Sequence, residues 1–228
     1  MSEVALSKRV STAAALVRRG ACLADVGTDH AYLPIYLLEQ GLIARAVLSD
    51  VNVGPLEKAR ENVSRHGLCD SVSFVLGSGA HPLRDMGATD YTVCGMGGEL
   101  IAAIIDEAPH LKSADVNLVL QPMSKPELLR KYLWDSGFSI YEERYSTDEG
   151  KHYVCFGARY TGLIEEYTDS ELYFGKHPEL AVATSAGREY VEARLASLEK
   201  IRAGRVAGGM SAEKEREIIE TVTKTIGI

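Results

Sequence analysis

The stretch LADVGTDHAYLP, residues Leu23–Pro34, has the outline of a nucleotide-binding turn between a strand and a helix. Its apolar run ends in Asp25, and Gly27 follows. Dinucleotide-binding turns carry a second glycine two positions later, because the backbone there touches a pyrophosphate at the start of a helix. This chain has Asp29 at that position. The turn is therefore suited to a ligand other than a pyrophosphate.

The charge of Asp29 separates the ligand classes that such a turn can take. A carboxylate in contact with a phosphate group is repelled by on the order of 4 kcal/mol at an effective dielectric constant of about 20, so NAD and FAD are disfavoured. S-adenosylmethionine (SAM) has a sulfonium and an α-ammonium group and no phosphate, so Asp25 and Asp29 around Gly27 favour it. The alternative is a purely structural turn, in which an aspartate caps a helix that starts near Tyr32.

Short apolar runs alternate with helical patterns from residue 22 to about residue 160. This order predicts an α/β, Rossmann-like fold, in which helices cover both faces of a parallel sheet. Only STDEGK, residues 146–151, separates the last two predicted strands, which indicates an antiparallel hairpin at one edge. The predicted strands are Cys22–Val26, Ala46–Ser49, Val72–Leu76, Tyr91–Val93, Asn117–Gln121, Phe138–Glu143 and His152–Tyr160, and the predicted helices are Tyr32–Gln40, Pro55–His66, Glu99–Glu107 and Pro126–Ser136.

The chain changes character after residue 162. Two helical patterns follow, one with Val191, Leu195 and Leu198 and one with Ile218, Val222 and Ile226, and the glycine-rich segment 203–211 separates them. Their narrow apolar stripes are typical of a coiled-coil seam. We therefore predict a SAM-binding, Rossmann-like domain over residues 1–162 and a C-terminal helical hairpin over residues 163–228.

Composition narrows the functional classes. The chain is 46% hydrophobic and 25% charged, which is ordinary for a globular protein, and no apolar run approaches the roughly 20 residues that span a bilayer. The amino-terminal segment lacks the residue order of a signal peptide, so a cytoplasmic location is expected. The four cysteines form no C-x-x-C pair, so we expect no metal site and no disulfide framework.

A net charge of −7 argues against nonspecific coating of nucleic acid. A local basic face is still compatible with this charge, although a solvated helix face is the better explanation of any single cluster. The candidate basic residues are Lys8, Arg9, Arg18 and Arg19 near the start, and Lys58, Arg60, Arg65 and His66 further on.

Three further segments follow predicted strands and complete the candidate site. Asp50 lies 23 positions after Gly27, close to the offset of about 20 at which an acidic residue binds ribose hydroxyls. Ser78 and Gly79 end the third strand, where an adenine ring could lie. The glycines of CGMGG, residues 94–98, leave the carboxyl edge of the sheet open, so we expect them to face the reactive methyl group and a flat base. Cys94 is either a thiol near this pocket or a buried inert one.

Four motifs resemble, in order, the bacterial tRNA (adenine-22-N1)-methyltransferase family. They are DVGTDHAYLPI at 25–35, GPLEKARENVSRHGL at 54–68, CGMGGELIA at 94–102 and LQPMSKPELLRKYLWDSGF at 120–138. The resemblance implies a class I SAM-dependent fold, tRNA as the substrate and methyl transfer to adenine N1. One departure is the loop GSGA at 77–80, where the family tends to carry an asparagine before the glycine.

Residue pattern and resemblance together give the expected site. Asp29 is expected to accept a hydrogen bond from the adenine N6 amine, and His30 or Tyr32 to orient the base or pack structurally. Two alternatives stay open: a SAM-dependent methyltransferase of a small molecule or a protein, and a SAM-binding module without catalysis. The oligomeric state is left open. The predicted cofactor-binding residues are Asp25, Gly27, Thr28, His30, Asp50, Ser78, Gly79, Gly95 and Met96, the substrate-binding residues are Tyr32, Gly97 and Gly98, and the catalytic residue is Asp29.

Overall fold

The computed structural model describes residues 4–227 and contains one twisted sheet. Across the sheet the strand order is 3-2-1-4-5-7-6, in chain numbering. The first five strands are parallel, whereas the seventh strand pairs antiparallel with both the fifth and the sixth. The predicted Rossmann-like fold with an antiparallel edge hairpin is confirmed. The strands are β1 (Cys22–Val26), β2 (Arg45–Asp50), β3 (Val72–Leu76), β4 (Asp90–Gly97), β5 (Asn117–Ser124), β6 (Phe138–Asp148) and β7 (Lys151–Tyr160).

Helices cover both faces of this sheet. Alternate residues of one strand point to opposite faces, so Leu118 and Leu120 belong to one hydrophobic cluster and Val119 to the other. The helices are α1 (Lys8–Ala14), α2 (Tyr32–Glu39), α3 (Val53–Arg65), α4 (Gly98–Asp106), α5 (Pro126–Asp135), α6 (Asp169–Phe174), α7 (Pro178–Ala181), α8 (Ser185–Ala207) and α9 (Glu213–Ile226). The first three contribute to the cluster around Val119, and α4 to α9 contribute to the other.

The edge hairpin is longer than its sequence pattern predicts. Strand pairing continues to Asp148 and resumes at Lys151, so most of the segment expected as a loop is strand. The turn itself is Glu149 and Gly150, whose φ angles are +50° and +73°. Two successive positive φ angles are the hallmark of a type I′ turn, whose twist matches that of the flanking strands. A two-residue turn therefore replaces the predicted six-residue connection.

The C-terminal segment forms the predicted pair of helices, but its break is shorter than expected. Helix α8 continues through Gly204 to Ala207, and only residues 208–212 connect it to α9. Arg205 Nε donates a hydrogen bond of 2.7 Å to the carbonyl oxygen of Ser211, which closes this connection. The buried side chains Leu198, Ile218 and Val222 belong to the same cluster as the sheet face. The helical pair therefore shares the hydrophobic core of the sheet.

A buried ion pair joins α5 to the edge hairpin, and the same arginine binds the C-terminal segment. Arg130 on α5 is fully buried, and its Nε and Nη2 bind Glu143 on β6 at 2.9 and 2.8 Å. Arg130 Nη1 also donates to the carbonyl oxygen of Leu172 at 2.9 Å. Burial lowers the pKa of an arginine, but the charge of Glu143 more than offsets this effect, so the pKa of Arg130 is raised.

In the described part of the chain, no helix is both long and apolar enough to cross a membrane.

Candidate active site

The turn after β1 carries a buried carboxylate. Asp25 is almost inaccessible to solvent, and the hydroxyl of Thr92 on β4 donates a hydrogen bond of 2.6 Å to Asp25 Oδ1. Burial raises the pKa of Asp25 above its ordinary value, and the bond from Thr92 partly offsets this rise. The amides of Gly27 and Thr28 donate to the carbonyl oxygen of Ser49 at 2.8 and 3.0 Å. These bonds fix the turn between β1, β2 and β4.

Gly27 is required by its conformation, and it lies against Met96. Its φ angle is +75°, in the left-handed region that favours glycine. A Cβ atom at this position would lie 2.1 Å from Met96 Cε, the end of a flexible side chain. The turn after β1 and the carboxyl end of β4 therefore meet across the crevice, at the point where the strand order reverses. Open α/β sheets bind their ligands at such a switch point.

Asp29 and its neighbours project from the turn toward solvent. The Asp29 side chain is 75% exposed, and its Oδ2 lies 3.4 Å from His30 Nε2. The rings of His30 and Tyr32 are stacked, with centroids 5.2 Å apart and planes 14° apart. Asn62 Nδ2 on α3 donates to the carbonyl oxygen of His30 at 2.9 Å. The segment thus presents a carboxylate beside a pair of stacked rings.

The start of α2 does not use an aspartate as its cap. Ala31 is the N-cap residue with a φ angle of +58°, and no side-chain cap hydrogen bond is made there in the described structure. The alternative in which an aspartate caps α2 is therefore wrong. A left-handed alanine costs roughly 1–3 kcal/mol and persists only where its surroundings impose it. This strain sits next to the exposed carboxylate of Asp29, as is common at functional sites.

The end of β2 supplies a second carboxylate and unpaired hydroxyls. Asp50 Oδ1 accepts a 2.8 Å hydrogen bond from the backbone amide of Asn52, which orients the carboxylate. Thr28 Oγ1 and Ser49 Oγ are buried, and neither has a hydrogen-bond partner of acceptable geometry among the described residues. The Thr28 hydroxyl lies near enough to Asp25 to lower the pKa of that carboxyl slightly. Buried hydroxyls without partners are rare, so this end of the sheet fits a polar ligand such as SAM.

The loop after β3 and the neighbouring groove border the site on the β2 side. Ser78 is exposed, and Gly79 has a φ angle of +65°. A groove of about 310 Å³ lies between α3 and the end of β3. Its lining residues are Val53, Leu56, Glu57, Arg60 and Leu76. A larger cavity of about 680 Å³ lies along β6 and shares no lining residue with the site.

The carboxyl end of β4 and the start of α4 are glycine-rich for two different reasons, so the open loop expected at residues 94–98 is strand as far as Gly97. Gly95 has a φ angle of +80°, and its amide donates to Gln121 Oε1 at 3.2 Å. A Cβ atom on Gly98 would lie 2.4 Å from the carbonyl oxygen of Lys125, so packing against the turn before α5 explains this glycine. Gly98 is buried, and its contact with a substrate stays a prediction, as does that of Gly97. Cys94 is held as a thiol, because burial raises its pKa to about 12.

Three residues of the site do not follow from the sequence pattern. Thr92 lies inside a strand, Gln121 ends an apolar strand, and Arg9 is only one member of a candidate basic face. Arg9 Nη1 donates a 2.7 Å hydrogen bond to Gln121 Oε1, across 112 positions of sequence. The structure brings most predicted residues to one edge of the sheet, whereas Arg9 arrives there on a helix that the pattern did not predict. Residues 4–227 contain no group of three His, Cys, Asp or Glu side chains that could hold a metal ion.

Comparison with known proteins agrees with this geometry. The family profile described as "Methyltransferase domain" matches residues 6–156. The Bacillus subtilis tRNA (adenine(22)-N(1))-methyltransferase is 33% identical over 153 residues, which are 67% of this chain and 64% of that protein. The alignment thus spans slightly less than two thirds of that relative.

Two solved structures match over nearly their full length. A Streptococcus agalactiae protein of the NADB-Rossmann superfamily has a TM-score of 0.85 and 32% identity, with 98% of each chain covered. A Streptococcus pneumoniae protein, described as a candidate tRNA (m1A22) methyltransferase in complex with SAM, has a TM-score of 0.83 and 31% identity. That match covers 97% of this chain and 100% of the other. The chain therefore belongs to the tRNA (adenine-22-N1)-methyltransferase family of methyltransferase-domain proteins.

Proposed function

We infer that this protein transfers the methyl group of SAM to N1 of adenine 22 in tRNA. The observation that carries the inference is the acidic turn at the β1–β4 switch point, where Asp25 is buried, Asp29 is exposed and Gly27 lies against Met96. Such a turn disfavours a diphosphate and favours a sulfonium-bearing nucleoside. The family of the chain supplies the acceptor, tRNA.

The cofactor residues follow from the position of each strand end. SAM supplies an electrophilic methyl group on its sulfonium. Asp50 is placed to bind the ribose hydroxyls, since its carboxylate is oriented by Asn52 at the end of β2. The remaining assignments are proposals from the same edge of the sheet. They are Asp25, Gly27, Thr28 and His30 at the end of β1 and in the first turn, Ser78 and Gly79 after β3, and Gly95 and Met96 at the carboxyl end of β4.

The acceptor side is built around Asp29. Its exposed carboxylate can accept a hydrogen bond from the adenine N6 amine and so stabilise the positive charge that the base acquires on methylation. Tyr32 is half exposed and stacked on His30, so its ring can orient the base. Most of the acceleration is assigned to holding donor and acceptor in line, because orientation alone can contribute roughly 7–11 kcal/mol. Unstacking the target base costs a few kcal/mol.

The proposal extends to the organisation of the chain. Residues 1–162 form the proposed methyltransferase domain, and residues 163–228 form the proposed helical hairpin. A tRNA substrate also supports the expected cytoplasmic location. The oligomeric state stays open.

Nucleoside analysis tests the proposal most directly. The protein is incubated with methyl-labelled SAM and a bacterial tRNA transcript that carries A22, and the digested RNA is analysed. We expect labelled 1-methyladenosine, and no label in a matched transcript in which A22 is replaced by G. Label at another base or another atom contradicts the assignment of the acceptor. Calorimetric binding of SAM without label in any tRNA favours the noncatalytic alternative instead.

A further inference from the structure

The residues assigned to the SAM site complement only some of the charged groups of SAM. The sulfonium and the α-ammonium group are cationic and suit Asp25, Asp29 and Asp50. The methionyl end also carries a carboxylate, and none of the assigned side chains is a fixed cation. A carboxylate withdrawn from water is costly unless a charged or polar donor meets it. A cation at this end of the crevice is therefore missing from the predicted site.

Arg9 stands where such a cation is needed. Helix α1 places its guanidinium against the carboxyl end of β4, where a Cβ atom on Gly95 would lie 3.7 Å from Arg9 Nη1. The Nη1 donates to Gln121 Oε1 at 2.7 Å, and the same oxygen accepts the Gly95 amide at 3.2 Å. The shared acceptor thus fixes the guanidinium relative to the floor of the site.

The Arg9 guanidinium has no acidic partner in the described structure. Among residues 4–227, no carboxylate lies within salt-bridge distance of Arg9, and the bond to Gln121 is the one hydrogen bond of its side chain. Its Cζ also lies 5.8 Å from the centroid of the Tyr153 ring, a contact that uses the face of the guanidinium and not its N–H donors. A guanidinium has five N–H donors in a planar fork that matches a carboxylate. A half-buried arginine without an acidic partner is thus free to receive an anion.

Opposite charges flank the same thiol at this end of the crevice. The pKa of Cys94 is raised by burial and then by Asp25, and it is lowered by Arg9. Asp25 and Arg9 therefore both act on the Cys94 thiol, with opposite sign. An α-amino acid group has one cationic and one anionic end, and this arrangement is complementary to both.

We propose that Arg9 binds the carboxylate of the methionyl part of SAM, while Asp25 faces its α-ammonium group. Arg9 is then a cofactor-contacting residue, and α1 is part of the cofactor site. Two other roles are possible for the same guanidinium: it binds a phosphate of the RNA, or it only stabilises the backbone around Gly95. These two possibilities are outcomes of the test.

The test compares two ligands that differ only in the carboxylate. Binding of S-adenosylhomocysteine and of its decarboxylated analogue, 5′-deoxy-5′-(3-aminopropylthio)adenosine, is measured by calorimetry on the full chain. We expect Arg9→Gln to weaken S-adenosylhomocysteine about 10-fold to 100-fold, as for loss of a charged hydrogen-bonded contact. The affinity of the decarboxylated analogue should change less than about threefold. Arg9→Lys, which keeps the charge and loses the fork, should fall between wild type and Arg9→Gln.

Arg45→Gln is the matched control. It removes the same charge at the amino end of β2, where Arg45 contacts the carbonyl oxygens of Met86 and Gly87, and it should leave both affinities unchanged. An equal loss of affinity for both ligands in Arg9→Gln overturns the proposal and assigns Arg9 a purely structural role beside Gly95. Unchanged binding of both ligands, with a salt dependence of tRNA binding reduced by about one charge, overturns it in favour of a phosphate contact. Because the affinities for the two nucleosides are measured without tRNA, a failure of this proposal is distinguishable from a wrong assignment of the tRNA acceptor.

Discussion

The hydroxyl of Thr92 donates a 2.6 Å hydrogen bond to Asp25 Oδ1 and so joins the ends of β4 and β1 beneath the crevice. The carboxylate is held in place at an energetic cost, because burial disfavours its charged form. A residue that destabilises the fold and lies at a ligand site is expected to be retained for binding. Asp25 therefore gives a direct test of the site.

Asp25→Asn is expected to make the protein more stable and a weaker binder of SAM. The amide keeps an acceptor for Thr92 and removes the buried charge. The gain in the free energy of unfolding at pH 7 should fall within the roughly 0.5–2 kcal/mol of stabilising single substitutions. Thermal unfolding measures the gain, and calorimetry with S-adenosylhomocysteine measures the expected loss of affinity.

The pH dependence of that gain fixes its cause. The folded-state pKa of Asp25 is raised, so the folded protein binds this proton more tightly than the unfolded chain does. Stability from Asp25 is then lost as the pH rises from the unfolded pKa through the folded one. The difference between Asp25→Asn and wild type should therefore be small below pH 3.8, the unperturbed value, and grow above it. A difference independent of pH argues against buried charge as the cause.

Gly27→Ala is expected to lose SAM binding for two separable reasons. The substitution imposes a left-handed alanine, at about 1–2 kcal/mol, and a Cβ atom 2.1 Å from Met96 Cε. Gly67→Ala is the matched control for strain, since Gly67 has a φ angle of +70° and nothing within 4 Å of its Cβ position. Thermal unfolding should show Gly27→Ala to be the less stable of the two.

The steric part should be recovered by Met96→Ala in the Gly27→Ala background, which removes the clashing methyl group. The double variant is expected to unfold close to Gly67→Ala. If Met96→Ala restores nothing, the flexible Met96 side chain moves aside without cost, and the steric part of the prediction is wrong.

Local signals explain which elements the sequence predicted well. The bounds of β1 and β3 are as predicted, and α2 ends one residue early, because apolar runs and helical periodicity are properties of neighbouring residues. Helix α1 was not predicted, since its seven residues are too few to show a helical repeat. The contact of Arg9 with Gln121 depends on how α1 packs against the sheet, which no local pattern encodes. Gly98 illustrates the same limit, because the backbone of Lys125 demands that glycine.

Arg130→Met is expected to destabilise the fold by about 3–5 kcal/mol, because it leaves the charge of Glu143 buried without its partner. The substitution also removes the hydrogen bond to the carbonyl oxygen of Leu172, which holds the C-terminal segment. Urea denaturation measures the loss. Lys131→Met on the same helix is the control, since its ion pair with Asp135 is exposed and should contribute less than about 1 kcal/mol. Similar losses in both variants contradict a structural role for the buried pair.

Asp29 separates catalysis from binding more sharply than any other residue of the site. Its side chain is 75% exposed, so Asp29→Ala should leave thermal stability within about 0.5 kcal/mol of wild type. Binding of S-adenosylhomocysteine should also be retained, whereas kcat for tRNA methylation should fall about 100-fold to 1000-fold, as when one stabilising contact to a developing charge is lost. Asp29→Asn keeps an acceptor for the adenine amine without the charge, so an intermediate rate is expected. A wild-type methylation rate for Asp29→Ala in single-turnover assays would exclude a catalytic role for Asp29. In this variant neither a folding defect nor a weaker affinity for the cofactor could hide such a role.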